Sequence, residues 1–456
     1  MDATKRLVDF AVNTRYEHLP PEVIDRGKER ILDTMACMLA AGKEEIASIM
    51  LKYVRATGGR QEAGIVGFQD KTTAQLAALF NGTVAHALDF DDCQPSFTGH
   101  PSVVILPSVL AVAERMRASG KAMIEAYMVA FEVACKIGRG VNPDLFDRGW
   151  HATSVIGVIG AAAAAGKLLR LDAQKMAFAL ALAASQASGL KGNFGTMAKP
   201  FHAGKAAENG VIAALLSENG FTACPDILDV KNGFCDVFSR RYDLEAIVQG
   251  LGNPFDIVSP GVITKVYPSC LFTHPIIQAT RSLVKSEGLR AEDVESVECR
   301  ITPLAGDSLI HDRPRSGLEA KFSAPYSVAA ALLHDEISPQ QYTDEAVQGT
   351  DSRDIVQKVK VVLDPEFEAP ETGEWRGLGA RVAVRLRDGR ECAKKAAITG
   401  DENAAASLET IVAKYRGCAR TMLDEERVER SIDLILHLEA MGDAGALMAL
   451  VAGNKS

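Results

Sequence analysis

Residues 24–38 read IDRGKERILDTMACM, and in them Ile24, Ile31, Met35 and Met38 recur at separations of seven, four and three. That spacing draws one apolar stripe along an α-helix. The same helical spacing runs from Ala3 to about Leu251, in stretches near 72–88, 103–118, 122–138, 153–168, 172–188 and 203–218. Pro20-Pro21, Asn142-Pro143, Lys199-Pro200 and Pro225 punctuate it, as residues that interrupt helices should. Gly157, Gly160 and the run Ala161 to Ala165 lie within one such stretch, where small side chains let helix axes approach closely.

Near Pro254 the pattern changes. The spacing predicts a helix over 275–287, and then short strands at Val294–Ile301 and Val359–Val362. Arg381-Val-Ala-Val-Arg-Leu-Arg387 alternates with period two and runs into Asp388-Gly389, a strong short-range hairpin signal. From Asn403 onward helical spacing returns, through Ile411, Tyr415, Val428, Ile432 and Leu436. The expected fold is therefore mainly α with a smaller α+β domain. A large all-helical domain is expected over 1–254, joined by C-terminal helices over 400–456, with an α+β lid domain over 255–399.

Composition narrows the function. Across 456 residues, 50 Lys+Arg stand against 59 Asp+Glu, a net charge of −9. That balance excludes a broad basic surface for nucleic acid. Aromatic residues make up only 6% beside 38 glycines, which fits small-residue helix packing better than a β-sandwich. Nine scattered cysteines form no CxxC pair, as in a chain of reduced thiols. Asp2 and Asp9 interrupt the start of the chain, and the longest apolar run, Val155 to Ala165, is too short to cross a bilayer. A cytoplasmic protein without membrane association is expected.

Absent motifs remove further classes. No GxGxxG follows a strand to open a helix, Gly160 to Lys167 has the wrong spacing for a phosphate-binding loop, and neither GxSxG nor HExxH occurs. Dinucleotide, nucleoside-triphosphate, α/β-hydrolase and zinc-protease chemistry lose their support.

Four polar clusters remain. The densest, His86-Ala-Leu-Asp89-Phe-Asp91-Asp92-Cys93 onward to His100-Pro-Ser102, admits three readings: a helix cap with a solvated acidic turn, a metal site using His86, Asp89, Asp92 and His100, or a general acid/base loop. Gly149-Trp-His151-Ala-Thr-Ser154 reads either as a helix cap around His151 or as an anion-attracting helix start. Gly189 to Lys205 places Lys191, Lys199, Lys205 and His202 in a Gly-rich loop entering a helix, suited to cradling an anion or to simple chain reversal with solvated lysines. Lys265 to Pro275, with Cys270 and His274, falls at the seam where the pattern changes, and seams form clefts.

Together HALDFDD…GHPS (86–102), GWHATS (149–154), GTMAKPFHAGKAAEN (195–209), KVYPSCLFTHP (265–275) and KFSAPY (321–326) resemble the MmgE/PrpD family, in order over nearly the whole chain. The resemblance implies a homodimer of subunits that pair a helical domain with an α+β lid, and carbanion or enolate chemistry next to a carboxylate without metal or organic cofactor. Its members include 2-methylcitrate dehydratase, cis-aconitate decarboxylase and iminodisuccinate epimerase. Carried over by motif, the site would include Asp89, His100, His151, Lys199, Lys265 and Tyr326. Cys93 stands where the decarboxylase has Thr, and Cys270 where it has a catalytic His.

Abstracting a proton next to a carboxylate calls for a base that titrates near working pH and for cations to hold the developing charge. The expected assignment follows: His100 or His151 as base or acid, Asp89 orienting a histidine, and Tyr326 donating a proton or hydrogen bond. Lys199 and Lys265, with His202, His274, Cys270 and Cys93, would form the substrate-binding set. The expected activity is a lyase, dehydrating a small di- or tricarboxylate of the 2-methylcitrate or citrate kind, with an epimerase (isomerase) on a related dicarboxylate as the alternative. A cis-aconitate-type decarboxylase and a non-catalytic carboxylate-binding dimer stand behind these.

Overall fold

The computed structural model describes residues 2–365, 378–398 and 406–453. Parts of the expected lid (366–377 and 399) and of the expected tail (400–405 and 454–456) lie outside the described residues. The principal helices are α1 (Pro21–Ala40), α2 (Ala74–Ala85), α3 (Ser102–Met116), α4 (Gly120–Val141), α5 (Gly157–Leu168), α6 (Ala173–Ala184), α7 (Ala198–Glu218), α8 (His274–Glu287), α9 (Ala324–Leu333), α10 (Leu408–Ala419) and α11 (Glu425–Leu436). A mainly helical chain with a small α+β region is what the spacing predicts. No helix among the described residues is long and apolar enough to cross a membrane.

One apolar core draws on residues from Ala3 to Val262 and again from Ile411 to Val451. A second, from Ile276 to Leu386, lies between a mixed sheet and the helices on it. Ile31, Met35 and Met38 are buried in the first core, with Ile24 at its edge. The structure departs from a single stripe in the second half of α1, where every residue from Arg30 to Leu39 is buried. The cause is α10, which lies along α1 and covers the face that would otherwise meet water: Lys414 pairs with Asp33 at 2.8 Å, and Tyr415 enters the core beside it. Burial of polar Asp33 is tolerable because that ammonium reaches it.

The smaller region is built on four strands, β1 (Val294–Ile301), β2 (Val359–Leu363), β3 (Gly379–Leu386) and β4 (Glu391–Ala397), in the order β2-β1-β3-β4. The β1–β2 pair is parallel and the other two are antiparallel. On β3, Ala380, Val382, Val384 and Leu386 are buried while Arg385 is exposed, the alternation of a sheet with one covered face. The turn after β3 uses Gly389 at φ +88°, and the Asp388 carboxylate accepts the Arg390 amide at 3.0 Å.

Close helix packing rests on glycine. α2 and α7 cross where Gly82 faces Gly204, and a Cβ on Gly82 would sit 2.8 Å from the Gly204 Cα. A Cβ on Gly204 would drive into the Leu79 carbonyl and Thr83. Since α7 opens with Lys199 and α2 closes on His86, this crossing sets the separation of two candidate site residues. Gly204→Ala should therefore lower stability by about 1–3 kcal/mol, the usual range for overpacking, read as a lower urea midpoint. An unchanged midpoint would show that the helices part without cost.

Candidate active site

The site is assembled from the ends of elements. α2 ends at His86, after which the chain turns through Asp89 at φ +51°, a left-handed conformation that Asp adopts more readily than most residues. The loop is then tied to the 263–265 segment by reciprocal Cys93–Ile263 backbone bonds of 3.0 and 2.9 Å, which brings Lys265 against Asp89. His100 lies just ahead of α3, and His151 just ahead of a short helix, Ala152–Val155. The His151 amide bonds the Gly189 carbonyl at 3.0 Å, tying it to the Gly-rich loop before α7.

At the centre is the Asp89 carboxylate. Lys199 donates to its Oδ2 at 2.9 Å, and Lys265 donates to its Oδ1 and, at 3.0 Å, to its carbonyl. Burial alone would raise the Asp89 carboxyl, but the two ammoniums overcome it and hold it well below the usual carboxylate range. The Lys199 Nζ also donates to His86 Nε2 at 2.9 Å, so the His86 proton is on Nδ1, which faces Asp91 at 2.9 and 3.0 Å. Burial, with Lys199 close by, pushes His86 down to about 3; it is a neutral link between Asp91 and Lys199. The Lys199 ammonium also lies 5.4 and 5.1 Å from the ring centroids of Phe194 and Phe322.

His100 Nδ1 faces only acceptors among its oxygen neighbours, the Asp92 carbonyl at 2.8 Å and Asp91 Oδ2 at 3.0 Å. It therefore carries the proton there, and Nε2 presents a lone pair 3.9 Å from Asp89 Oδ1. His151 Nδ1 lies 3.2 Å from His202 Nδ1, while its buried Nε2 has no hydrogen-bond partner. Burial and nearby positive charge lower both rings, His151 the more strongly.

A cavity of about 680 Å³ opens beside this cluster. His100, His151, Lys199, Cys93 and Cys270 lie on its wall, together with Lys136 and Arg139 of α4. Those two cations share Asp256, at 2.9 and 2.8 Å. Glu132 is pushed up to about 7 by burial and by the Asp256 charge. The cavity wall thus carries three cations and two imidazoles.

Several expected site residues lie elsewhere. Lys265 is fully buried on Asp89 and does not form part of the cavity wall. His202 stands behind His151, and His274 is turned away, with Nε2 facing the Tyr267 carbonyl at 3.2 Å. Tyr326 lies in the second core with its hydroxyl donated to the Gln341 carbonyl; that bond keeps it from the cavity. Burial pushes the Cys270 thiol up to about 11, and raises Cys93 further, so both stay protonated at neutral pH. Lys321 donates to the Ala87 carbonyl at 3.0 Å and is lowered by burial to about 8.

The alternative readings of the clusters resolve in part. His86, Asp89, Asp91 and Asp92 are buried, so the loop is not a solvated turn, and His151 makes no side-chain cap bond. Ligand atoms of His86, Asp89, Asp91 and His100 do lie within 4.8 Å of one another. Lys199 and Lys265 already supply the compensating charge there, and an ion would have to displace both. Sequence reasoning passed over the Asp91–His86 link and the Lys136–Arg139 wall. The signal for the latter was an acid and two bases, Glu132, Lys136 and Arg139, spaced four and three apart within an apolar helix.

Residues 5–247 match the MmgE/PrpD N-terminal domain, and residues 267–440 the MmgE/PrpD C-terminal domain. The chain belongs to the MmgE/PrpD family. It is 28% identical to a cis-aconitate decarboxylase of Aspergillus terreus, over 98% of this chain and 95% of that one. Identity to the cis-aconitate decarboxylase of Homo sapiens is 29%, over 96% and 92%. A mitochondrial 2-methylcitrate dehydratase of Yarrowia lipolytica is 25% identical, over 78% and 72%. These MmgE/PrpD relatives are enzymes, which supports an enzyme here.

Asp89→Asn keeps the shape of the side chain but strands two buried ammoniums. Breaking a buried pair in this way costs about 3–5 kcal/mol, so the variant should show a lower urea midpoint than the parent at the same pH. Equal midpoints would mean that the Asp89 knot contributes nothing to folding.

Proposed function

We propose that this chain is a lyase, independent of metal or organic cofactor, that dehydrates a small hydroxy-polycarboxylate such as 2-methylcitrate or citrate. The supporting observation is the pair of imidazoles lining one cavity, each with an Nε2 that makes no hydrogen bond to a neighbouring side chain, together with the lining cations Lys199, Lys136 and Arg139. Dehydration needs a base for the proton next to a carboxylate and an acid for the departing hydroxyl; two imidazoles supply both. In this reading His151 and His100 exchange protons with substrate. Lys199 uses its remaining N–H on a substrate carboxylate, and the Lys136–Arg139 pair receives another. Lys265 and Asp89 hold Lys199 in place, and Tyr326 takes no part in the proton transfers. The working unit in this reading is a cytoplasmic homodimer, which sedimentation can test.

The second reading is decarboxylation of cis-aconitate, favoured by relatives that match over nearly the whole chain. Against it stands Cys270, at the position of the decarboxylase's catalytic His, since a thiol held protonated does not replace an imidazole in moving a proton; Cys93 likewise departs from the decarboxylase, which has Thr there.

Incubation with 2-methylcitrate, citrate and cis-aconitate in heavy water, followed by NMR, separates the readings. A new alkene from a hydroxy acid without loss of carbon supports dehydration, and carbon dioxide from cis-aconitate overturns it. Deuterium uptake with neither product points to an epimerase, and thermal stabilisation alone to a carboxylate-binding protein.

Lys199→Ala and His151→Ala should each lower turnover by about 10²-fold or more, with an unchanged circular dichroism spectrum. Full activity in either would move the site elsewhere. Because burial and positive charge hold His100 and His151 below the ordinary 6.5, both are unprotonated in the resting site at neutral pH. The acid limb of kcat/KM, corrected for titration of the substrate, should fall below pH 6.5.

A further inference from the structure

His151 and His202 meet through like atoms. Their Nδ1 nitrogens are 3.2 Å apart, so one must carry the proton and the other accept it. The two rings differ in their surroundings. His151 is buried, lines the cavity and has no hydrogen-bond partner on Nε2, whereas His202, one turn after Lys199 on α7, is partly open to solvent and off the cavity wall. Its carbonyl is held by Ser154 Oγ at 3.1 Å, and Ser154 lies three residues after His151, so both rings are fixed from one short segment.

We propose that His202 is a positioning and relay residue that connects Nε2 of His151, through the Nδ1 pair, to bulk water. The inference rests on the reading that His151 exchanges a proton with substrate. In one tautomeric arrangement His151 bears its proton on Nδ1 and His202 on Nε2. A proton leaving the substrate carbon then bonds to His151 Nε2, the Nδ1 proton passes to His202 Nδ1, and the His202 Nε2 proton goes to water. The products are two neutral rings with the opposite tautomers. In that second arrangement His151 Nε2–H is an acid: it donates to substrate, recovers a proton from His202 Nδ1, and water reprotonates His202 Nε2. Charge on the pair is unchanged in both directions. This matters in a site where Lys199 stands near both rings and opposes an imidazolium. Passing a proton through, without storing it, lets His151 work as base and acid beside that ammonium.

The test is His202→Asn, which offers a polar atom in place of Nδ1 and can hold His151 but cannot pass a proton on. On a substrate turned over by the parent, kcat should fall by about 10²-fold with KM little changed. The solvent deuterium isotope effect should rise, and added imidazole should restore part of the rate. A merely structural role would give neither the isotope effect nor the rescue. An unchanged kcat and isotope effect in His202→Asn overturns the relay. So does a loss of kcat that imidazole does not restore, in both His202→Asn and His202→Gln variants with parental melting temperature. If the parent turns over no polycarboxylate at all, the functional reading fails and takes the relay with it.

Discussion

One carboxylate holds three parts of the chain together. Asp89 follows α2, Lys199 opens α7, and Lys265 lies on the segment leading to the smaller region. Taking three charges out of water is costly. Here the cost is offset because each ammonium has further acceptors, the His86 ring for Lys199 and the Asp89 carbonyl for Lys265. The glycine crossing of α2 and α7 sets the distance over which Lys199 reaches, so backbone packing and side-chain charge are parts of one constraint. A longer helix separation would leave Asp89 with one partner and remove the cation from the cavity wall.

The same arrangement supplies the cations that the proposed function needs in an acidic chain. The net charge of −9 belongs to the molecule as a whole, while Lys199, Lys136 and Arg139 all lie on the cavity wall. Asp89 and Asp91 lie beside Lys199 and Lys265, and Asp256 and Glu132 beside Lys136 and Arg139. Fields from fixed charges are strongest in a cleft with low-dielectric walls. In the proposed function, Lys199, Lys136 and Arg139 are the groups on the wall that would meet substrate carboxylates.

Much of the helical scaffold was legible because its periods are long and its punctuation is clear, and β3 with its Asp388-Gly389 turn was legible because alternation and turn chemistry agree. Full burial of α1 beyond Arg30 was not, since it depends on α10, nearly 380 residues away in sequence. The site divides in the same way. The motifs name Asp89, His100, His151 and Lys199, and the fold brings these four into one region of space. Which nitrogen faces which oxygen is set by backbone bonds such as Cys93–Ile263 and His151–Gly189, and nothing local in the sequence encodes those pairings. Tyr326 shows the limit from the other side: its motif is intact, yet the Gln341 carbonyl holds its hydroxyl within the second core.

The cysteines at 93 and 270 bear on what the cavity can accept as well as on what it can catalyse. A thiol on the wall is a weaker hydrogen-bond partner than a hydroxyl or an imidazole, and both are kept neutral by burial. Two positions that could have bound a carboxylate or moved a proton therefore contribute mainly shape and apolar surface. In the proposed reaction the proton transfers then fall to His100 and His151. Of these, His100 is fixed on one side by Asp91 and the Asp92 carbonyl, acceptors that never release a proton to it at neutral pH unless Asp91 is itself protonated. His151 alone backs onto another ring that titrates and reaches solvent. The asymmetry gives the two imidazoles different chemistry even though they share a wall: one is locked in a single tautomer, and the other is free to exchange between two.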